Sequence, residues 1–509
     1  MEKIDLSHII KKHSISEIVL DLQCDETERV FFNGYQTWSP SHEEKPSIAV
    51  RSIHPVIKVL GKPWGTSRYG DGFFAKQAHD KPGRFHGYSY FYKRYEEEYL
   101  LIASTDETNG YTVFNYDFFR QELTIRKEAG MPKYDQALHI AAFKGGYDEV
   151  FDAWFEAAGL KRRPAEPLAG YGSWYNRFTK ITDETISDDL QGCAKVLEPG
   201  DLFQIDDGWQ VAVGDWTAHP VKFPRGMKAS VDDIPEKGFK AGLWLAPFGA
   251  QADSQIVRDH PDWLLKHDGS PWYAGYNWGG FYSLDMDVPE VRDHLRAVFD
   301  RIFNEWGFDL VKLDFLYAAA PWMTSKGPFF GESRGGRMCR AMDYLREWCG
   351  DGMILGCGVP LMPAFGLADY SRIGCDVGLT WRDRPFLRLT HRERVSTVNS
   401  ILDTIYRRQL DGRAFGNDPD VFFLRTENLE LTEREKDILA TVNALLGSVF
   451  LTSDDPLKYT DEQKEKYAYY RHLTEAENVR LIKRERMGIS YRLDGREHEY
   501  VIPEEIVRE

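Results

Sequence analysis

No stretch of the chain approaches the ~18 consecutive apolar residues of a membrane-spanning helix, so a transmembrane protein is not expected. Cysteine is scarce: Cys24, Cys193, Cys339, Cys349, Cys357 and Cys375 are scattered through 509 residues without a CxxC pair. That pattern fits reduced thiols rather than a disulfide framework or a zinc ribbon. Excess positive charge is missing too. Against 80 acidic residues stand 64 basic ones, a net charge of -16. This argues against nucleic acid and anionic membranes as partners, because both are polyanions. The amino terminus, MEKIDLSHIIKKHSISEIVLDL, is broken by charges and has no apolar h-region. No secretory signal is therefore expected, and the chain reads as cytoplasmic. The 14 histidines show no ligand spacing, and neither a GxSxG elbow nor a phosphate-cradling glycine loop occurs.

What the chain has in quantity is aromatic residues, 14% of the total. Flat rings stack on sugar faces when exposed and fill large cores when buried. Up to about residue 165, short alternating or aromatic stretches are separated by turn signals. They include SEIVLDLQ, RVFFNGYQTW, SIAVRSIHPVIKVL, GRFHGYSYFYKRY and ELTIRKEAG. Such spacing predicts an antiparallel β-sandwich over 1–165. An amphipathic helix pattern and two prolines, Pro164 and Pro167, close it.

From 166 to 475 strand-like apolar runs alternate with helical patterns. Eight strands are predicted, at 170–175, 202–207, 239–248, 310–315, 353–358, 369–376, 413–420 and 448–454. Eight strand-then-helix units make this an α/β chain with a (β/α)8 TIM barrel. A last alternating segment, 476–509, with a turn at Asp494-Gly495, predicts a small C-terminal β-domain.

In a barrel the reacting groups project from the carboxyl ends of the strands. Strand four, LVKLDFL, carries Lys312 and Asp314 on one face of an otherwise apolar run, where unpaired charge is costly. The other strand ends bring Trp174 and Tyr175, Asp206 and Asp207, Trp244, Cys357, Arg372 and Asp376. Carboxylates with aromatics and few histidines fit glycoside hydrolysis, which needs two carboxyl groups flanking the scissile bond. Asp314 and Asp376 are the candidate pair. Lys312 would help keep Asp314 ionised, and the proton donor's pKa should be raised. Taken alone, Trp244 reads as barrel core, the Arg372/Asp376 pair as equally a structural ion pair, and Asn417-Asp418-Pro419-Asp420 as a rigid turn after strand seven.

The motifs FQIDDGWQ, GLWLAPF, VKLDFLYAA, ILGCGVPLMPAFG, RIGCD and NDPD, in this order, resemble the α-galactosidases of glycoside hydrolase family 36. The resemblance covers nearly the whole barrel. It implies a retaining mechanism with Asp314 as nucleophile and Asp376 as acid/base. It further implies Asp206 and Asp207 at O4 and O6 of the sugar, Lys312 at O3 or O4, and Arg372 near O2. Trp244 and Cys357 would line the pocket, and NGYQTWS would bring Trp38 to the sugar. No cofactor is implied. The expected substrate is a small oligosaccharide such as melibiose or raffinose. A homo-oligomer is left open, since the chain is shorter than the large tetrameric members. Alternatives are an α-N-acetylgalactosaminidase, a transglycosylase, a metal-dependent barrel hydrolase and a silent sugar-binding protein. One departure stands out: Cys375 precedes Asp376 where relatives often have proline, which could change leaving-group preference or bring sensitivity to oxidation.

Overall fold

The computed structural model describes residues 1–49, 81–128, 137–267, 269–321, 333–385, 394–483 and 486–507. Most of the expected strand SIAVRSIHPVIKVL lies outside them. Two antiparallel sheets precede the barrel. One pairs Glu2–Lys3, Ile140–Gly145, Glu98–Ser104, Tyr90–Tyr95, Arg29–Phe32 and Glu43–Glu44 in that spatial order. The other runs Ile10–His13, Glu17–Asp21, Glu122–Lys127, Thr112–Asp117, Arg84–Tyr88. The period of two explains their packing. Val30 and Phe32 face the second sheet, joining Ile18, Leu20, Phe114 and Ile125 in a closed core. Phe31, Tyr90 and Tyr92 point the other way, against the helix Tyr147–Ala157 with its buried Phe151 and Trp154. Each such large apolar side chain contributes roughly 1.5–3 kcal/mol of burial.

The barrel strands are Leu168–Gly172, Leu202–Ile205, Lys240–Leu245, Leu310–Leu313, Met353–Gly356, Tyr370–Arg372, Gly416–Asp418 with Val421–Phe422, and Val449–Thr452. Neighbours pair in parallel, and strand eight pairs back to strand one, Leu168 opposite Val449. Strand seven serves strand six with its first piece and strand eight with its second. These runs are buried on both faces, which is why they are apolar without alternation.

Three strand ends differ from the sequence expectation by three or more residues. Strand one stops at Gly172, and Trp174 and Tyr175 lie on a short helix, Trp174–Arg177. Ser173 makes the last ladder bond, to the Gln204 carbonyl at 3.1 Å, and its own carbonyl accepts from Arg177 at 2.9 Å, which starts a helical turn. Strand three stops at Leu245, and its long loop builds a small sheet of Gly249–Gln251, Phe281–Ser283 and Tyr273–Gly275. Strand six stops at Arg372, so Asp376 is carried by the loop beyond it.

The NGYQTWS loop of the sandwich docks on the barrel through Arg407. This buried guanidinium donates to the carbonyls of Thr37 (2.7 Å), Gln36 (3.2 Å) and Ile373 (2.7 Å) and to Asn33 Oδ1 (3.1 Å). Thr37 adds bonds to the backbone after strand five, at Gly358 (2.9 Å) and Val359 (3.1 Å). At the carboxyl end, Glu477–Lys483, Met487–Leu493 and Arg496–Val501 form an antiparallel sheet. Its Asp494-Gly495 turn has positive φ at both residues (51° and 74°), as a type I′ hairpin requires.

Candidate active site

The carboxyl ends of the barrel strands bring the sequence-nominated residues together. Asp314 stands one residue past strand four. Phe315 after it adopts a left-handed conformation (φ 52°), and its amide donates back to Asp314 Oδ1 at 2.8 Å. Trp244 Nε1 donates to Oδ2 at 3.1 Å. Both carboxylate oxygens are thus held, one by backbone and one by an indole. Trp244 is buried in the barrel core, and its indole edge reaches Asp314. Lys312 makes its ion pair with Asp206, not Asp314, with Nζ to Oδ2 at 2.9 Å. Burial opposes the lysine's charge, but Asp206 outweighs it and holds the pKa above the ordinary lysine range. Asp207 accepts from Gln210 Nε2 (2.6 Å) and from Trp278 Nε1 (2.8 Å). Burial first, then the Asp206 and Asp314 charges, raise its pKa against those two bonds.

Across the mouth, Arg372 is surrounded by three carboxyl groups. Its Nη1 donates to Asp376 Oδ1 (2.8 Å), Nη2 to Asp420 Oδ1 (2.8 Å) and Nε to Asp418 Oδ2 (3.4 Å). Asp376 keeps 42% of its side chain accessible, although protein crowds it on most sides. Its pKa is pushed up to about 6, by burial first, with Asp420 and Asp314 adding to it and Arg372 and Lys312 opposing. Asp314 is thus one of the charges that act on Asp376. Tyr175 donates its hydroxyl to Asp420 Oδ2 at 2.7 Å. Trp38 donates Nε1 to Cys357 Sγ at 3.2 Å and packs edge-on against Phe315 at 5.1 Å. Gly358 permits this, because a Cβ there would lie 2.8 Å from the Trp38 ring. Trp174 stands apart, packing on Phe178.

A family model described as Melibiase matches residues 173–320. The α-galactosidase TtGalA from Thermus thermophilus, solved with p-nitrophenyl α-D-galactopyranoside, is 26% identical with a TM-score of 0.77, covering 97% of this chain and 95% of that one. The chain is similar in sequence and fold to α-galactosidases of glycoside hydrolase family 36. The family 36 enzyme AgaA from Geobacillus stearothermophilus shares the fold at a TM-score of 0.61 and 13% identity, over 94% of this chain and 66% of that one. The α-galactosidase Mel36A from Lactobacillus acidophilus is 25% identical over 322 residues, 58% of this chain. The match spans only 41% of that relative's length.

Two kinds of residue at these strand ends are not evident from sequence reasoning. Asp418 and Asp420 read in the sequence as parts of a rigid turn, yet both bind Arg372. The signal was the paired acids around Pro419, on the same rim as Arg372. Trp278 comes from the long loop after strand three, also with positive φ (57°), and packs on Trp244 and Phe315 at 5.8 and 4.9 Å. The NWGG around it carries no periodicity that would have placed it. Cys375, the departure from the relatives, is fully buried, and burial raises its thiol well above the usual range. It donates weakly to the carbonyls of Arg394 and Ser396. The reactive thiolate that oxidation requires is therefore suppressed. Among the described residues no group of His, Cys, Asp and Glu has the arrangement of a metal site, and no helix is long and apolar enough to cross a membrane.

Proposed function

We propose that this chain is a retaining exo-α-galactosidase acting on terminal α-galactosyl residues of small oligosaccharides. The observation that carries the reading is the contrast between two carboxyl groups at one strand-end cleft. Asp314 has both oxygens fixed by donors, which suits an ionised nucleophile. Asp376 has its pKa lifted to about 6, which suits an acid that holds its proton until the leaving oxygen needs it. Asp314 attacks the anomeric carbon as Asp376 protonates the departing oxygen. Asp376 then takes a proton from water, which releases the sugar from the glycosyl-enzyme. Asp206, Asp207 and Lys312, fixed by one another and by Gln210, Gln204 and Trp278, bind the sugar hydroxyls. Arg372 binds near O2, and Trp38, Trp244 and Cys357 wall the pocket. Tyr175 acts behind Asp420, and Trp174 lies at the rim.

The binding of an α-galactoside by TtGalA supports the choice of sugar. A panel of chromogenic α-glycosides tests it. The expected outcome is hydrolysis of the α-galactoside above all others, unchanged by chelators. Preference for the α-N-acetylgalactosaminide would move the assignment to that sugar. Binding without turnover on every panel member would make the chain a sugar-binding protein.

A further inference from the structure

Strand seven is interrupted between Gly416–Asp418 and Val421–Phe422, and Asp420 in the gap has a φ of +72°. A non-glycine residue is held in that region only when its surroundings determine it. Here they do. The Asp420 amide donates to Asp418 Oδ1 at 2.9 Å, and its carbonyl accepts from Asn443 Nδ2 at 3.2 Å. Ser400 Oγ holds the preceding carbonyl, that of Pro419, at 3.1 Å. The carboxylate then makes three bonds. Oδ1 accepts from Arg372 Nη2 (2.8 Å), and Oδ2 accepts from the Tyr175 hydroxyl (2.7 Å) and from the Val377 amide (2.8 Å).

Two of these three bonds bear on Asp376. Val377 is the next residue along the chain, so Asp420 grips the peptide that carries Asp376. Arg372 is the cation bonded to Asp376, so Asp420 competes with Asp376 for its charge. We propose that Asp420 is a positioning residue for Asp376, fixing the Asp376–Val377 peptide and neutralising Arg372 so that Asp376 can keep its proton. This rests on the reading of Asp376 as the general acid. The other groups that act on Asp376 electrostatically are Lys312 on strand four, Asp314 just past it, Cys357 after strand five and Tyr175 after strand one, while Asp418 acts on Arg372 beside Asp420. None of these both binds Arg372 and holds the Asp376 backbone.

The test compares kcat/KM for melibiose, whose leaving group needs a proton, with that for p-nitrophenyl α-galactoside, whose leaving group needs little. Asp420→Asn removes the charge and keeps the shape. Its alkaline limb on melibiose should move to lower pH by about one unit, a loss of roughly tenfold at pH 7, because Arg372 then acts on Asp376 with less opposition. The nitrophenyl substrate should lose much less. Should the Asn variant not fold, Asp420→Gly serves, because glycine adopts the +72° backbone without strain. It should show the same substrate-selective loss, and added formate, a carboxylate small enough for the vacated space, should restore part of the melibiose activity. An unmoved alkaline limb in either folded variant, or equal losses on both substrates, overturns the proposal. Asp376→Ala separates the two levels. A substrate-selective loss there with none in the Asp420 variants refutes the role of Asp420 alone. An equal loss on both substrates refutes Asp376 as the acid.

Discussion

Two buried charge clusters in this molecule are built to opposite stoichiometry. At the barrel mouth, Lys312 and Arg372 face six carboxyl groups, on Asp206, Asp207, Asp314, Asp376, Asp418 and Asp420. Between the sandwich and the C-terminal sheet, one carboxylate faces two cations. Glu43 accepts from Lys483 (2.5 Å), Arg94 (2.7 and 2.9 Å) and the Tyr92 hydroxyl (2.7 Å). Lys483 is also ringed by Tyr92, Tyr99, Tyr147 and Tyr406, with centroids 4.9–5.7 Å from its nitrogen. The consequences for protons are opposite too. Burial opposes the charge of Glu43, yet Lys483 and Arg94 hold its pKa down to about 2, and its side chain is 1% exposed. Asp376 is lifted to about 6 and is 42% exposed. A surplus of acid over base leaves one carboxyl group able to carry a proton and reachable by substrate. A surplus of base over acid leaves a carboxylate that never titrates near neutrality and only ties elements together. Burial of charge alone does not distinguish a site from a clasp; the ratio of signs and the access to solvent do.

The largest effect should come from breaking the first cluster at Asp314, the proposed nucleophile. Asp314→Ala should retain the thermal transition of the folded chain and lose about 10⁴-fold or more in kcat on every α-galactoside. Wild-type turnover in that variant would remove the nucleophile and the reading with it. Breaking the second cluster should instead lower stability. Glu43→Gln leaves two buried cations facing one another, and should cost about 3–5 kcal/mol in denaturant unfolding, with kcat of the folded enzyme little changed. The pH dependence sharpens the contrast. The folded pKa of Glu43 lies below its ordinary 4.5, so its contribution is complete above about pH 4.5 and is lost as pH falls toward 2. Unfolding midpoints measured from pH 6 to 3 should therefore fall more steeply for wild type than for Glu43→Gln. Equal slopes would mean that Glu43 titrates the same in both states. The smallest change is Trp278→Phe, which deletes one donor to Asp207. It should raise KM for the galactoside by roughly two- to tenfold and leave the kcat profile with pH in place. An unchanged KM would put Trp278 outside the sugar site.

The barrel was legible because its strands are buried on both faces and separated by helical periodicity, so eight units could be counted. Lys312 and Asp314 stand out for a related reason, since charge inside LVKLDFL is costly unless it is paired or serves a site, and a buried ion pair is the bland alternative. Partners were harder to read. Lys312 pairs with Asp206, 106 residues away, and spacing along one strand pointed to Asp314 instead. Trp38 reaches Cys357 and Phe315 from a loop of the sandwich and could be nominated only through resemblance to relatives. Asp420 was hidden because Asp-Pro-Asp satisfies every rule for a turn. Only the closed ring of strands sets that turn against Arg372 and the Val377 amide.

The central claim is that Asp314 and Asp376 cleave α-galactosides with two inversions at one carbon. Proton NMR of freshly mixed enzyme and p-nitrophenyl α-galactoside measures this directly, by the anomeric signal that appears before mutarotation. The account predicts α-galactose first, with β-galactose growing in later at the uncatalysed rate. Appearance of β-galactose first would contradict it.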